Sequence, residues 1–545
     1  MKYLNRFSRI AIFLALFSVQ LSGQAHPRFR SDDPLQIDPD KNPIPQPEKV
    51  RLSQIYDLVE NTFIRRVKRD EIVPPAVNAN TIGEVPDSSW FTNRMGGEVL
   101  TINQLVTGPN QLKGPSLNEP LIIVGAKTEG VTPGFTVRDH SGEIFFLKFD
   151  PRDFPQLMTS TEVVVTKFFH AFGYNVPENY LTFIRKEDLL IGDEAQLTDE
   201  EGKERKLTGR DVDKIFEKVY QGPDGTTPAV ASRRLSGVPM GPFKYLDTRA
   251  DDPNDIFPHE NRRELRGLRL FCAWLNHDDS RSHNTLDMYV GDTGKGYIKH
   301  HLIDFGSCLG SGSIKPQSRR AGNEYIVEWA PILKATFTFG IWDRPWRHVK
   351  YPNYPSVGRF EGDFFQPQLW RPEYPNPAFE RMQLGDAFWA ARIIALFSDE
   401  MIQALVETGQ FSNPDAEQYL VETFIKRRDK IIGYYLSKMN SLDQFKVKHQ
   451  NGSSFLEFRN LANQLGIKPA GPYHYQWFSF TNETDSLVEI GKPESVRTGP
   501  ILVVPYSSEF LMVRVRPEAQ TPVDVYLRNE PGNLKVVGID RPEST

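Results

Sequence analysis

The stretch His277-Asp-Asp-Ser-Arg-Ser-His-Asn284, followed twenty residues later by Asp304-Phe-Gly306, decides how the rest of the chain is read. Between the two lie the strand-like run Thr285–Val290, the turn Gly291-Asp-Thr-Gly-Lys-Gly296 and a second β-rich run over 297–304, which together predict a hairpin. One end of that hairpin carries a carboxylate and an amide, Asp279 and Asn284. The other carries a second carboxylate, Asp304. Each motif alone is short enough to arise by chance, but in this order, bridging one hairpin, they support each other. The plainer alternative is that both aspartates are turn residues flanking it. Upstream, Ile144-Phe-Phe-Leu-Lys148-Phe sets a lysine inside an apolar strand, where a desolvated ammonium needs an anionic partner. Glu162, at the start of a helix expected over 160–172, is the candidate. It has a competing role, because Thr159-Ser-Thr-Glu162 also spells a capping box. Lys148 has one too, as an edge-strand lysine that blocks aggregation.

Working outward, Leu121-Ile-Ile-Val-Gly125 and Phe135-Thr-Val-Arg138 read as strands before the lysine strand, and 180–184 as one after it. Residues 192–232 read as a polar insertion broken by one short amphipathic helix over 211–219. Leu265, Leu268, Phe271 and Leu275 recur at spacings of three and four, which predicts a helix over 261–275. The following region is mostly helical: Pro377 suits a first helical position, Ser398 caps a helix closed by Gly409, and Asn413-Pro414 opens a long helix toward Ser437. Beyond about 450, runs such as Trp477-Phe-Ser-Phe480 and Phe510-Leu-Met-Val-Arg-Val515 predict a small β-sandwich-like domain over 450–545. The layout is then a signal peptide over 1–25, a Pro-rich linker over 26–49, an N-terminal extension and β-rich part over 50–260, and a helical part over 261–445.

These motifs resemble the protein-kinase-like superfamily, whose catalytic loop reads H-x-D-x-x-x-x-N and whose metal-binding motif is D-F-G. The run His300-His-Leu-Ile-Asp-Phe-Gly-Ser-Cys-Leu-Gly310 is similar to that of phosphatidylinositol 3- and 4-kinases. Gly125-Ala-Lys-Thr-Glu-Gly130-Val-Thr-Pro-Gly134 is not G-x-G-x-x-G and looks like the loosely patterned loops of atypical kinases such as the HipA-type toxin kinases. Over about residues 120 to 440 the resemblance implies an α+β fold: a two-lobed protein-kinase-like core with a β-rich N-lobe and a helical C-lobe, to which the C-terminal all-β domain is added. It also implies ATP and Mg²⁺. Lys148 would contact the nucleotide phosphates and pair with Glu162, while Gly130 and Gly134 belong to the phosphate-covering loop. Asp279 would be the base-like carboxylate, and Asn284 and Asp304 the metal ligands. Arg281 stands where many protein kinases have a lysine that reaches the transferred phosphate. Two departures are plain. Asp278 replaces the usual Arg before the catalytic aspartate, and Ala330-Pro331 is not followed by Glu, so control through an activation-loop phosphate is not expected.

Composition narrows the function further. Lys+Arg of 65 against Asp+Glu of 70 gives a net charge of −5 in 545 residues, which argues against a basic nucleic-acid binder. Lys2, Arg6 and Arg9, the apolar run over 10–21, and the small residues Gly23 and Ala25 form a cleavable signal, so the mature chain is expected to be exported, periplasmic or extracellular, with no transmembrane span. Cys272 and Cys308 are either one bridge or two buried thiols. No zinc spacing, H-E-x-x-H, G-x-S-x-G or Walker motif is present, and His300 and His301 point to opposite faces of a strand. Asp251, Asp252 and Asp255 read as a solvated loop, with a substrate or metal role as the alternative, and Trp342, Trp346, Tyr351 and Tyr354 as packing of the helical part, with the lining of a carbohydrate or peptide groove as the alternative. The expected function is an exported ATP-dependent phosphotransferase acting on a hydroxyl of a protein, lipid or sugar, or an AMP-transferring variant of it. The competing reading is a non-catalytic, pseudokinase-like scaffold whose C-terminal β domain meets an envelope partner.

Overall fold

The computed structural model describes residues 27–64, 72–127, 134–198, 203–292, 294–338, 342–464, 466–467, 471–503, 508–518, 520–530 and 533–542. The expected signal peptide and Gly130 lie outside these residues. The fold is mixed α+β, with a large sheet and a separate all-β C-terminal region. Among the described residues no helix is long and apolar enough to cross a membrane.

In the larger unit, β1 (Leu121–Lys127), β2 (Gly134–Arg138) and β3 (Ile144–Phe149) form an antiparallel meander. With β4 (Asn179–Ile184), β5 (Leu189–Thr198), β6 (Glu204–Lys206) and β7 (Thr227–Arg233) they make a seven-stranded sheet of order β4-β7-β3-β2-β1-β5-β6. Successive side chains of a strand face opposite ways. Phe145, Leu147 and Phe149 therefore enter a core with Phe135, Val212 and Phe216, and Lys148 leaves by the other face. On that other side α1 (Thr159–Phe172) packs against β4 and β7, buried almost all round.

The segment 192–232 is not an insertion on the surface. It supplies the end of β5, β6, the expected amphipathic helix α2 (Gly209–Phe216), and β7, which lies between β4 and β3. Residues 227–231 are all buried. A strand covered on both faces shows no polar–apolar alternation, and the small residues of Thr227-Pro-Ala-Val-Ala-Ser232 gave no apolar run to notice.

Downstream, β8 (Val238–Gly241), β9 (Thr285–Val290) and β10 (Tyr297–Leu302) form a three-stranded sheet, the last two being the expected hairpin. α3 (Arg263–Leu275) packs against α4 (Leu384–Ile394) and α6 (Pro414–Tyr435), and α5 (Asp399–Glu407) packs against α6. Trp274, Trp389, Phe397 and Phe424 share their core. The expected starts hold: Ser398 Oγ accepts from Met401 N at 3.2 Å, and Asn413 Oδ1 from Asp415 N at 2.9 Å.

Two boundaries move. The all-β unit comprises 442–459, 470–542 and the N-terminal residues up to Pro34, so it starts before 450. Its first strand, Leu442–Gln450, was hidden by the charged run Lys446-Val-Lys-His449. Two sheets, of three and five strands, share one core that includes Leu442, Leu456, Trp477, Val513 and Val525. The Pro-rich segment is anchored chain rather than a loose linker: Phe29 packs with Phe480, Phe510 and Tyr526 in the all-β unit. In the larger unit Ile44 N donates to Gly296 O at 2.8 Å, and buried Asp40 accepts from Ser89 N and Oγ.

Candidate active site

Lys148 brings the site together. Its Nζ lies 3.1 Å from both carboxylate oxygens of Glu162 on α1 and 2.8 Å from Oδ1 of Asp304, just beyond β10. The Glu162 side chain is 1% exposed and that of Asp304 50%. One ammonium thus faces two acids. Burial pushes the Glu162 pKa up, and Lys148 only partly offsets it. Asp304 is held below the usual carboxylate range, chiefly by the Lys148 charge. Burial alone would lower Lys148, but Asp304 and Glu162 outweigh it and its pKa is raised. Of the two acids, Glu162 is therefore the one that takes up a proton first as pH falls.

The capping role that competed for Glu162 belongs to Asp150, which the sequence reading passed over. Its buried carboxylate accepts from Met158 N at 2.9 Å, Thr159 N at 3.0 Å, Gln156 N at 2.8 Å and Thr159 Oγ1 at 2.5 Å. The start of α1 is satisfied by an aspartate from just past the lysine strand, which leaves Glu162 to Lys148. The available signal was its place two residues after Lys148 and nine before Thr159.

Asp304 sits at φ +64°, in the left-handed region that Asp tolerates better than most residues. The turn sends Phe305 inward, stacked on Phe169 of α1 at 4.8 Å between centroids, with His277 at 5.9 Å. Gly306 is held by close approach: a Cβ there would lie 2.7 Å from Met158 Cγ and 3.3 Å from Glu162 Oε2. Gly134 is needed because a Cβ would meet Leu147 O at 2.2 Å.

The loop begins where α3 ends, with Asn276 in a left-handed turn at φ +49°. Asn284 Nδ2 donates to Asp279 O at 2.8 Å, and Ile303 N donates to Asn284 O at 3.0 Å, so the loop is tied to the end of the hairpin. Arg281 does not project free. Its Nε lies 2.7 Å from Asp279 Oδ1 and its Nη1 3.0 Å from Glu373 Oε2. Burial raises the Asp279 pKa to about 6, with Arg281 pulling the other way. Asp278 is pushed further, to about 8, by burial and by its neighbour Asp279.

A second grip comes from the N-terminal extension. In the helix Gln54–Val59, buried Asp57 accepts from Tyr374 OH at 2.6 Å and from Ser282 Oγ at 3.2 Å. Leu52 O lies 2.8 Å from His283 Nε2. Asp57, Glu373 and Tyr374 carried no local motif and were not anticipated.

The other constellations resolve differently. Asp252 and Asp255 are not solvated: Asp255 is buried against His259 at 2.6 Å and Arg262 at 3.2 Å. Tyr354 packs on the helical core, whereas Trp346 and Tyr351 line a cavity of about 290 Å³ with Trp370 and Phe365. Cys272 and Cys308 are two buried free thiols. Among the described residues no group of three or more His, Cys, Asp or Glu is arranged to hold a metal unaided. Mg²⁺ needs no such cage, since it binds through one or two carboxylates, waters and substrate phosphates. Asp304, half exposed and already facing a cation, and the side-chain oxygen of Asn284 fit that requirement. The comparisons add no relative: no protein-family model and no curated protein matches this chain, so the grouping of Lys148, Glu162, Asp279, Asn284 and Asp304 stands on its own geometry.

Proposed function

We propose that the chain is an atypical kinase-like phosphotransferase that uses Mg²⁺ and ATP on a hydroxyl acceptor. In this reading the seven-stranded sheet and α1 form the N-lobe of a two-lobed core, and α3 with the helices after it the C-lobe. The observation that carries the reading is the meeting of Lys148, Glu162 and Asp304, from a strand, a helix and a post-hairpin turn, beside a loop that holds Asp279 and Asn284. An ion pair serving stability alone would not need Asp304 half exposed.

Mg²⁺, when bound, would be held by Asp304 and Asn284 and would offset phosphate charge. Lys148 would bind phosphate oxygens while Glu162 fixes its position. Asp279, with a pKa of about 6, is ionised at neutral pH and would take the proton of the acceptor hydroxyl as its oxygen bonds to the γ-phosphorus and ADP leaves. Arg281, held between Asp279 and Glu373, would orient that carboxylate rather than reach the phosphate. Export to the periplasm or medium rests on the N-terminal sequence pattern, and the acceptor class is left to protein, lipid or sugar hydroxyls.

The test is Mg²⁺-dependent ATP binding by thermal shift. Ligand at a hundredfold over its dissociation constant stabilises by about 2.7 kcal/mol. The shift is expected in the wild type and lost in Asp304→Ala and Lys148→Ala. A folded wild type that gives no shift with any nucleotide or metal would refute the proposal in favour of a scaffold.

A further inference from the structure

We propose that a second cavity of the larger unit, away from the Lys148 cluster, binds a small phosphate-bearing anion. It has a volume of about 270 Å³ and is walled by Arg94, by His170 near the end of α1, by Arg234 just after β7, and by Lys299 and His301 on β10. None of these residues belongs to the group around Lys148.

Charge balance is the argument. Four permanent cations, Arg94, Arg233, Arg234 and Lys299, face this space with one carboxylate, Glu178. Arg233 is answered by Glu143 at 2.5 Å. Arg94 directs Nη1 to the carbonyls of His170 at 2.9 Å and Tyr174 at 3.2 Å, which orient it but bring no countercharge, and the acid that supports its charge, Asp87, is not among the groups that wall the cavity. Among the described residues Glu178 accepts from Tyr180 OH at 2.8 Å and Gln111 N at 3.3 Å, and pairs with no cation. Arg234 and Lys299 have no ion pair among the described residues.

Residues 299 and 301 alternate on β10, so both side chains leave by the same face. His301 is 5% exposed, with Nδ1 3.1 Å from Lys299 O. His170 Nδ1 is buried and has no hydrogen-bond partner among the described residues. The crowding is felt by each group. Burial, then Arg94 and Lys41, lowers the Lys299 pKa, and burial with neighbouring cations lowers both His170 and His301 to about 3. A walled space with surplus like charge lacks an anion. Phosphate oxygens match it, because they accept several charge-assisted bonds from Arg and Lys at once. The volume suits one small group, since sites for drug-sized ligands run from about 300 to 1,000 Å³. His170 lies eight residues along α1 from Glu162, about 12 Å, and His301 lies just before Asp304, so an occupant would rest on two of the elements that build the first site.

The source of the phosphate is either a free metabolite or a lipid headgroup. The experiment titrates inorganic pyrophosphate without Mg²⁺ into the mature chain, reading thermal shift, beside Lys148→Met and Lys299→Ala/Arg234→Ala. The expected result is a saturable shift that survives Lys148→Met and weakens at least tenfold in the double variant. Should the double variant fold poorly, Arg234→Glu, on an exposed side chain, gives the same reading. Sedimentation with phosphatidylcholine vesicles containing phosphatidic acid, lost in the same variants, assigns the headgroup; pyrophosphate binding without sedimentation assigns a free metabolite. No saturable shift in the wild type, or a shift lost in Lys148→Met but kept in the cavity variants, overturns the proposal.

Discussion

Replacing Lys148 by Met keeps most of the apolar stem and removes the charge that two acids share. Glu162, 1% exposed, is then left unpaired beside Asp304. Breaking a fully buried pair costs about 3–5 kcal/mol, and because Lys148 is 27% exposed and Glu162 can take up a proton, about 2–3 kcal/mol is expected here at pH 7. Glu162→Gln leaves the ammonium on Asp304 at 2.8 Å and should cost only about 1 kcal/mol. With both changes no buried charge is stranded, so the double variant should lose less than the sum of the singles, by about 1–2 kcal/mol. Urea unfolding, read on the transition of the larger unit, measures the cycle. The pH dependence has a definite sign. A carboxyl with a raised folded pKa gives stability that is present at low pH and lost as pH rises through that value, so the deficit of Lys148→Met should shrink as pH falls. Additivity of the two single changes to within about 0.5 kcal/mol, with no pH dependence of the deficit, would refute the pairing.

Two further outcomes test the loop. Asp57→Asn weakens the acceptor shared by Tyr374 and Ser282, and a loss of about 1.4 kcal/mol should speed hydrogen exchange of the 281–284 amides about tenfold while leaving Mg²⁺–ATP affinity unchanged; unchanged exchange would show the contact to be idle. On the proposed reading, Mg²⁺-dependent ATP turnover should fall as pH drops through about 6, where Asp279 takes a proton, and Arg281→Ala should move that limb to higher pH by removing the charge that opposes burial; an unmoved limb would exclude Asp279 as the titrating base. The same raised value contributes stability below the unfolded carboxyl value of about 3.9, lost as pH rises through about 6.

What was legible in the sequence is what has a short-range signature. The hairpin between Asn284 and Asp304, the helix carrying Glu162 and the lysine strand follow from periodicity and turn chemistry, whereas the pairing of Lys148 with Glu162 was only implied by the resemblance and the contact of Lys148 with Asp304 was not foreseen. Asp150 was missed because Thr159 offered a local cap of the right form, and the competition was decided by which oxygen the fold brings to the helix end. β7 was missed because a strand buried on both faces loses its period. Asp255 looked solvated because its partners His259 and Arg262 make sense only once the loop closes on itself. The proline-rich stretch looked loose because Ile44 and Asp40 are held by residues far along the chain.

The grip of Asp57 on the loop bears on how the molecule is built in time. Its partners Ser282 and Tyr374 lie 225 and 317 residues further on. A chain made from its N-terminus exposes Asp57 long before either exists, and closing loops of that size carries an entropy that must be met before the contacts reward it. The loop bearing Asp279 and Asn284 is therefore completed late, after both the strands before it and the segment around Tyr374 have been made. Until then Asp57 has its neighbour Asn61, at 3.1 Å, but neither of its distant partners, and the emerging polypeptide has the parts of this loop without their arrangement.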